Sequence, residues 1–235
     1  MLRALVFDFN GILVDDEPIH LRLFQRVLRE EGIELSKEDY YREYLGFDDR
    51  GAFSAIFEHA GRPLDPAAAS RLIVRKASYY QEVVRRDGYP FFAGAVELVH
   101  EAAAGGMMLG LVSGALREEI DQALRQAGLR DAIKVVVAAE DVALGKPDPE
   151  GYRRVLEELN ARPPLPQRLL HPHEVLAIED SPAGLEAAAG AGLVTLGVAH
   201  SYPAAELRMA DVVVERLSGL TLASLQGLYA AVSRA

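Results

Sequence analysis

The chain has 235 residues, half of them hydrophobic, no cysteine, and 25 Lys plus Arg against 35 Asp plus Glu, for a formal charge of −10. The missing cysteines exclude disulfides, thiolate catalysis and Cys-ligated metals. The acidic balance argues against nucleic acid and anionic membrane surfaces as partners, while a locally positive or cation-filled pocket still admits a small anion.

The first predicted strand, ALVFDF, carries Asp8 into a turn at Asn10-Gly11. A leader peptide is not expected, because an Asp interrupts the apolar run at once. From residue 16 to residue 88 the chain reads as helix throughout: IHLRLFQRVLREEG, SKEDYYREYLG, RGAFSAIFEHAG and DPAAASRLIVRKASYYQEVVRR. The chain then returns through DGYPFFAGA, and strands alternate with helices. MLGLVSG, KVVVAAE, VLAIED, TLGVAH and DVVVE are short apolar runs of the kind that both faces of a covered sheet require. GAVELVHEAAAGG, LREEIDQALRQAG, PEGYRRVLEELN and SPAGLEAAAGAG have helical spacing, and three of them close on Gly. This alternation predicts a doubly wound, Rossmann-like parallel α/β sheet. Residues 1–15 and 89–235 would form the core domain and 16–88 an inserted α-helical domain, expected over the carboxyl ends of the strands. The Pro-rich ARPPLPQ reads as a loop, and no run reaches the length of a membrane span.

Four stretches fall at or after strand ends: DFNG with Asp8 and Gly11, VSGA with Ser113 and Gly114, LGKPDPE with Lys146, and IEDSPAG with Glu179 and Asp180. They gather carboxylates, a hydroxyl and a cation around one crevice. A carboxylate nucleophile can split phosphate-ester hydrolysis into two displacements, provided the phosphate charge is neutralised. Mg2+ on the carboxylates and Lys146 would do this, and Ser113 with backbone amides near Gly11 and Gly114 would donate to the remaining oxygens.

These four motifs, in this order, resemble the haloacid dehalogenase superfamily of aspartate-nucleophile phosphatases. The helical insertion is similar to the cap of its phosphoglycolate phosphatase and β-phosphoglucomutase branch. The resemblance implies a Mg2+-dependent hydrolase of a small phosphorylated metabolite. Asp8 would be nucleophile and metal ligand, Ser113 and Lys146 would bind the transferring phosphate, and Glu179 and Asp180 would hold the metal directly or through water. The missing cysteines fit a reducing cytoplasm, the charge and hydropathy point away from nucleic acid and membrane, and no obligate protein partner is evident.

Position 10 departs from the family pattern. The family uses this residue's backbone carbonyl on the metal and its side-chain carboxyl as general acid and base. Asn10 keeps the carbonyl, but an amide cannot exchange the proton, and losing such a group costs about 10²–10⁴-fold in rate. Divergence to another chemistry, loss of catalysis and an engineered substitution all remain open. The competing functions are a β-phosphoglucomutase-like phosphotransferase, which Asn10 counts against, and a phosphate- and metal-binding homologue without turnover, which Asn10 favours.

In the helical insertion, Gly46 and Arg50 of YLGFDDRGAF resemble a substrate-contacting loop, although Asp48 and Asp49 are equally placed to pair with Arg50. His20 on the first inserted helix is either a substrate contact and substitute proton source or a helix-surface residue. Asp15 reads as a hinge residue. His171 and His173 read as loop residues in preference to a metal pair. Asp180 or Ser181 is placed to cap the helix after IEDSPAG, and the tyrosines of YYREY and SYYQ read as packing residues.

Overall fold

A computed structural model of the chain describes residues 1–163, 165–166 and 168–232; Pro164 and Gln167 of the Pro-rich stretch lie outside the described residues. Two compact units emerge, one made of residues 1–15 with the segment from Tyr89 onward, the other of Asp16–Gly88.

The first unit is built on strands β1 (Ala4–Phe7), β2 (Met108–Val112), β3 (Val135–Val137), β4 (Val175–Glu179), β5 (Val194–Val198) and β6 (Val212–Val214). They form one sheet in the order β3-β2-β1-β4-β5-β6, with every neighbouring pair parallel. All residues of β1 and β4 are buried, as expected of central strands covered on both faces. Six apolar runs mark the strands, and each overlaps one.

Four helices alternate with the strands as the spacing predicts: α5 (Ala95–Ala104), α6 (Arg117–Gln126), α7 (Glu150–Ala161) and α8 (Pro182–Gly190), numbered after the four helical segments of the other unit. On one face, α7 packs on β2 and β3, and Tyr152, Val155 and Leu159 join Val6, Val112 and Ala177 in the core. A further helix, α9 (Leu222–Val232), was not anticipated. Its segment carries a mid-helix Gly227 and no polar face, so the periodicity signal is faint. It buries Leu222, Leu225 and Tyr229 and packs on α5.

The second unit comprises α1 (Glu17–Glu30), α2 (Lys37–Asp39), α3 (Asp49–His59) and α4 (Pro66–Asp87) around Phe24, Val27, Leu28, Phe53, Ile56 and Leu72. Ser36, Asp48 and Asp65 cap α2, α3 and α4 by accepting from Asp39, Gly51 and Ala68 amides. SKEDYYREYLG is less regular than its spacing predicts: after α2 it widens into a π-helical turn at Tyr40–Tyr44. Both bounding tyrosines are buried, and their hydroxyls find Glu17 Oε1 at 2.5 Å and His59 Nδ1 at 2.7 Å.

The insertion leaves and re-enters the first unit at neighbouring points. Val14 bridges Phe91 in antiparallel sense, the Asp15 amide donates to Pro90 O at 2.7 Å, and the Phe92 amide donates to Leu13 O at 3.0 Å.

Candidate active site

The site grows from the carboxyl ends of the two central strands. The Asp8 amide still donates to Ile178 O at 3.0 Å, so the sheet ladder fixes its backbone where its side chain turns toward Lys146. Carrying the β1–β4 register forward by one step sets Asp8 level with Glu179. Asp8, Glu179 and Asp180 each offer a carboxylate oxygen within 4.8 Å of the others, and all three are buried.

Lys146 is the cation among them. Its Nζ lies 2.7 Å from Asp8 Oδ1 and 2.6 Å from Glu179 Oε1. The same Glu179 oxygen accepts the hydroxyl of Tyr152, a fully buried residue on α7. Glu179 has its room because residue 184 is glycine: a Cβ there would fall 2.0 Å from Glu179 Oε2. Ser181, not Asp180, caps α8, accepting from the Gly184 amide at 3.1 Å.

Asp180 is held from the other side. Its Oδ2 accepts from the Ser201 hydroxyl and lies against Gly11, whose added Cβ would sit 1.8 Å away. Gly11 has φ +78°, a conformation other residues rarely adopt. Its amide, expected to face phosphate, instead donates to Val14 O at 2.9 Å, and its carbonyl accepts from His200 Nδ1 at 2.7 Å. A carbonyl only accepts, so His200 carries its proton on Nδ1. The ring stacks on Phe92, centroids 3.9 Å apart, and burial lowers its pKa.

Three carboxylates crowd one ammonium. Burial, then the charge of Glu179, push the Asp8 carboxyl up to about 7 against the pull of Lys146. Burial and the charges of Asp8 and Glu179 raise Asp180 well above the carboxylate range. Burial opposes the Lys146 charge, but Asp8 and Glu179 outweigh it and raise its pKa. A buried surplus of anionic oxygens is a donor set that suits a hard divalent cation. Among the described residues this is the sole grouping of three such ligands; His171 and His173 stack on each other without a third.

The remaining expected residues are placed as follows. Ser113 directly follows β2, the strand beside β1; it is buried, and its Oγ accepts from the Ala115 amide at 3.0 Å, which leaves its proton for another acceptor. Gly114 beside it is exposed, and Asn10 is half-buried in a bridge to Val14. His20 and Arg50 belong to the helical unit. Lys76 Nζ, which can only donate, lies 2.8 Å from His20 Nδ1, so the His20 proton sits on Nε2, 3.3 Å from Asp16 Oδ2. Both ring nitrogens are thus engaged. Neither neighbouring acid pairs with Arg50: Asp48 caps α3, and Asp49 meets the buried Lys76 at 2.5 Å. Arg50 is exposed and makes no ion pair among the described residues.

Sequence reasoning missed Tyr152, His200 and Ser201. A signal existed for the last two: they follow the fifth apolar run, and polar residues beyond a parallel strand's carboxyl end face the crevice. Tyr152 gave none beyond its place in a helix, six residues after Lys146.

The model of the haloacid dehalogenase-like hydrolase family matches residues 5–198, most of the chain. The chain belongs to this family. One relative, the phosphorylated carbohydrates phosphatase of Thermotoga maritima, is 30% identical over 203 residues, covering 85% of this chain and 87% of its own. The validoxylamine A 7'-phosphate phosphatase of Streptomyces hygroscopicus subsp. limoneus is 28% identical over 222 residues, 93% of this chain and 95% of its own. Among solved structures, a mutant of CbbY from Rhodobacter sphaeroides in complex with xylulose-(1,5)bisphosphate superposes with a TM-score of 0.79 at 25% identity, covering 96% of this chain and 99% of that one.

Proposed function

We propose that this chain is a Mg2+-dependent phosphoric monoester hydrolase that works through a phosphoenzyme on Asp8. The carrying observation is Asp8 itself, fixed at the end of a central strand with Lys146 on one oxygen and two further buried carboxylates within 4.8 Å.

Asp8, Asp180 and the Asn10 carbonyl would hold the Mg2+, with Glu179 behind them, tied up by Lys146 and Tyr152. Mg2+ bound there neutralises phosphate charge so that an anionic nucleophile can approach. In the first displacement an Asp8 oxygen bonds to phosphorus and the ester oxygen leaves with the bond's electron pair. Lys146 offsets charge on the equatorial oxygens, and the Ser113 proton and the Gly114 amide would donate to them. In the second, water bonds to phosphorus, loses a proton, and releases inorganic phosphate and free Asp8. Asn10 can neither protonate the leaving oxygen nor deprotonate the water, so solvent serves both steps. His20 is a poor substitute, because both of its ring nitrogens are engaged.

Residues 16–88 serve as the cap that sets specificity. Arg50 would offer it a cation, unpaired among the described residues, for a second polar or anionic group, since Asp48 and Asp49 are committed elsewhere. The named substrates of the relatives and the ligand of the CbbY mutant support a phosphorylated carbohydrate. The reading also carries a cytoplasmic setting without nucleic-acid, membrane or obligate protein partners. Among the described residues, no helix is long and apolar enough to cross a membrane.

The test is a panel of phosphate esters with Mg2+, run on the parent and on Asn10→Asp. The parent is expected to hydrolyse aryl phosphates far better than alkyl ones, because a good leaving group departs without a proton. Asn10→Asp is expected to gain about 10²–10⁴-fold on alkyl esters. If both proteins leave every ester intact, the phosphatase reading fails. Asn10 then favours the second reading, a phosphate- and metal-binding homologue without turnover.

A further inference from the structure

We propose that Ser201 and His200 are positioning residues that hold the two halves of the metal site together. This inference rests on the Mg2+ reading above and deepens it.

The two residues sit just beyond β5, and their place is fixed by the sheet: Ile178 is in register with Leu196, and Glu179 with Gly197. The loop that follows therefore emerges beside Asp180. There it makes two contacts in succession. Ser201 donates its hydroxyl to Asp180 Oδ2, and His200 donates Nδ1–H to the Gly11 carbonyl at 2.7 Å. Gly11 lies against that same Asp180 oxygen, closely enough to exclude a Cβ. Phe92, stacked on the His200 ring, backs the contact from the returning chain.

Three consequences follow. Asp180 cannot rotate freely, because Oδ2 is committed to a hydroxyl and packed on backbone; Oδ1 is the oxygen left for a cation shared with Asp8. The turn that carries Asp8 and Asn10 cannot drift from Asp180, because Gly11 is held at its amide by Val14, at its carbonyl by His200 and at its Cα by Asp180. Finally, the Ser201 hydroxyl is a neutral donor that occupies one carboxylate oxygen and so sets which way the other faces.

Outer partners of this kind typically change metal affinity by about 10–100-fold. The experiment is titration calorimetry of Mg2+ into metal-free protein, for the parent, Ser201→Ala, and the volume-matched pair Ser201→Thr and Ser201→Val. Ser201→Ala and Ser201→Val are expected to weaken Mg2+ about 10–100-fold, while Ser201→Thr stays near the parent. His200→Ala is expected to weaken it as well, and His200→Asn, which keeps a donor in the place of Nδ1, to recover most of the loss. Melting in EDTA reports on the fold. In turnover assays the Mg2+ concentration for half-maximal rate should rise in Ser201→Val, with the ester KM at saturating Mg2+ unchanged; a merely structural defect would move both. Should Ser201→Ala fail to fold, the Thr and Val pair decides alone. A parent that binds Mg2+, with Ser201→Val binding equally well, overturns this inference and leaves the phosphatase reading standing. A parent that binds no Mg2+ overturns both.

Discussion

Replacing Tyr152 with Phe deletes one oxygen and keeps the ring, which is fully buried among Val6, Val112 and Val155. The lost oxygen is the donor to Glu179 Oε1, inside a carboxylate that is 0% exposed. A hydrogen bond to a charged group is worth about 1.5–3 kcal/mol, and burial prevents water from replacing it. For a chain of this size each kcal/mol moves the melting temperature by about 2–4 °C, so the expected fall is about 3–12 °C. Lys146 keeps its 2.6 Å contact with the same oxygen. The two donors are therefore coupled, and a double-mutant cycle with Lys146→Met should show an interaction of about 0.5–3 kcal/mol. The assay is urea unfolding and calorimetry in EDTA, followed by a probe placed in the α/β unit, because two units need not melt together. Melting of Tyr152→Phe within about 1 °C of the parent, or a strictly additive cycle, would refute the view that Tyr152 and Lys146 jointly stabilise Glu179.

Asp8→Asn should abolish turnover and phosphoenzyme formation on aryl phosphates, checked by product release and by mass spectrometry of acid-quenched protein. Gly11→Ala must place a Cβ 1.8 Å from Asp180 Oδ2 at φ +78°, so it should cost about 1–3 kcal/mol in urea unfolding and abolish Mg2+ binding in calorimetry. Glu174, buried beneath the sheet's amino end, is drawn down to about 2 from 4.5, by Arg168 first and with help from the His171 amide and Arg3. A depressed carboxylate stabilises the fold fully above pH 4.5 and loses that contribution as pH falls toward about 2. Glu174→Gln should therefore be less stable than the parent at neutral pH in urea unfolding, and the gap should narrow on acidification.

The sheet was legible because its strands are covered on both faces, so VLAIED and ALVFDF read as unbroken apolar runs. The family and its branch were legible because Asp8, Ser113, Lys146 and the Glu179–Asp180 pair each follow a strand in a fixed order. What escaped was anything that depends on how distant segments meet. Tyr152 reaches Glu179, and Ser201 reaches Asp180, across separations that no local spacing encodes. The roles of Asp48 and Asp49 were undecidable for the same reason: Asp49 is claimed by Lys76, 27 positions away. Gly184 and Gly11 looked like a helix residue and a turn residue; their lack of a side chain is needed by carboxylates elsewhere in the chain. The π-helical turn and α9 were missed where tertiary packing overrides weak local preference.

The pairing of residues 13–15 with 90–92 bears on how such chains diversify. Everything between those two short stretches hangs from one stapled doorway, so an insertion of another length or shape needs to match the host at only two adjacent peptide links. Domains grafted at closely spaced anchor points are the kind that hosts tolerate. A chimera carrying a relative's helices between Asp15 and Tyr89 is thus expected to fold on the same sheet. In the proposed chemistry it would inherit the donor's taste for esters together with the host's nucleophile.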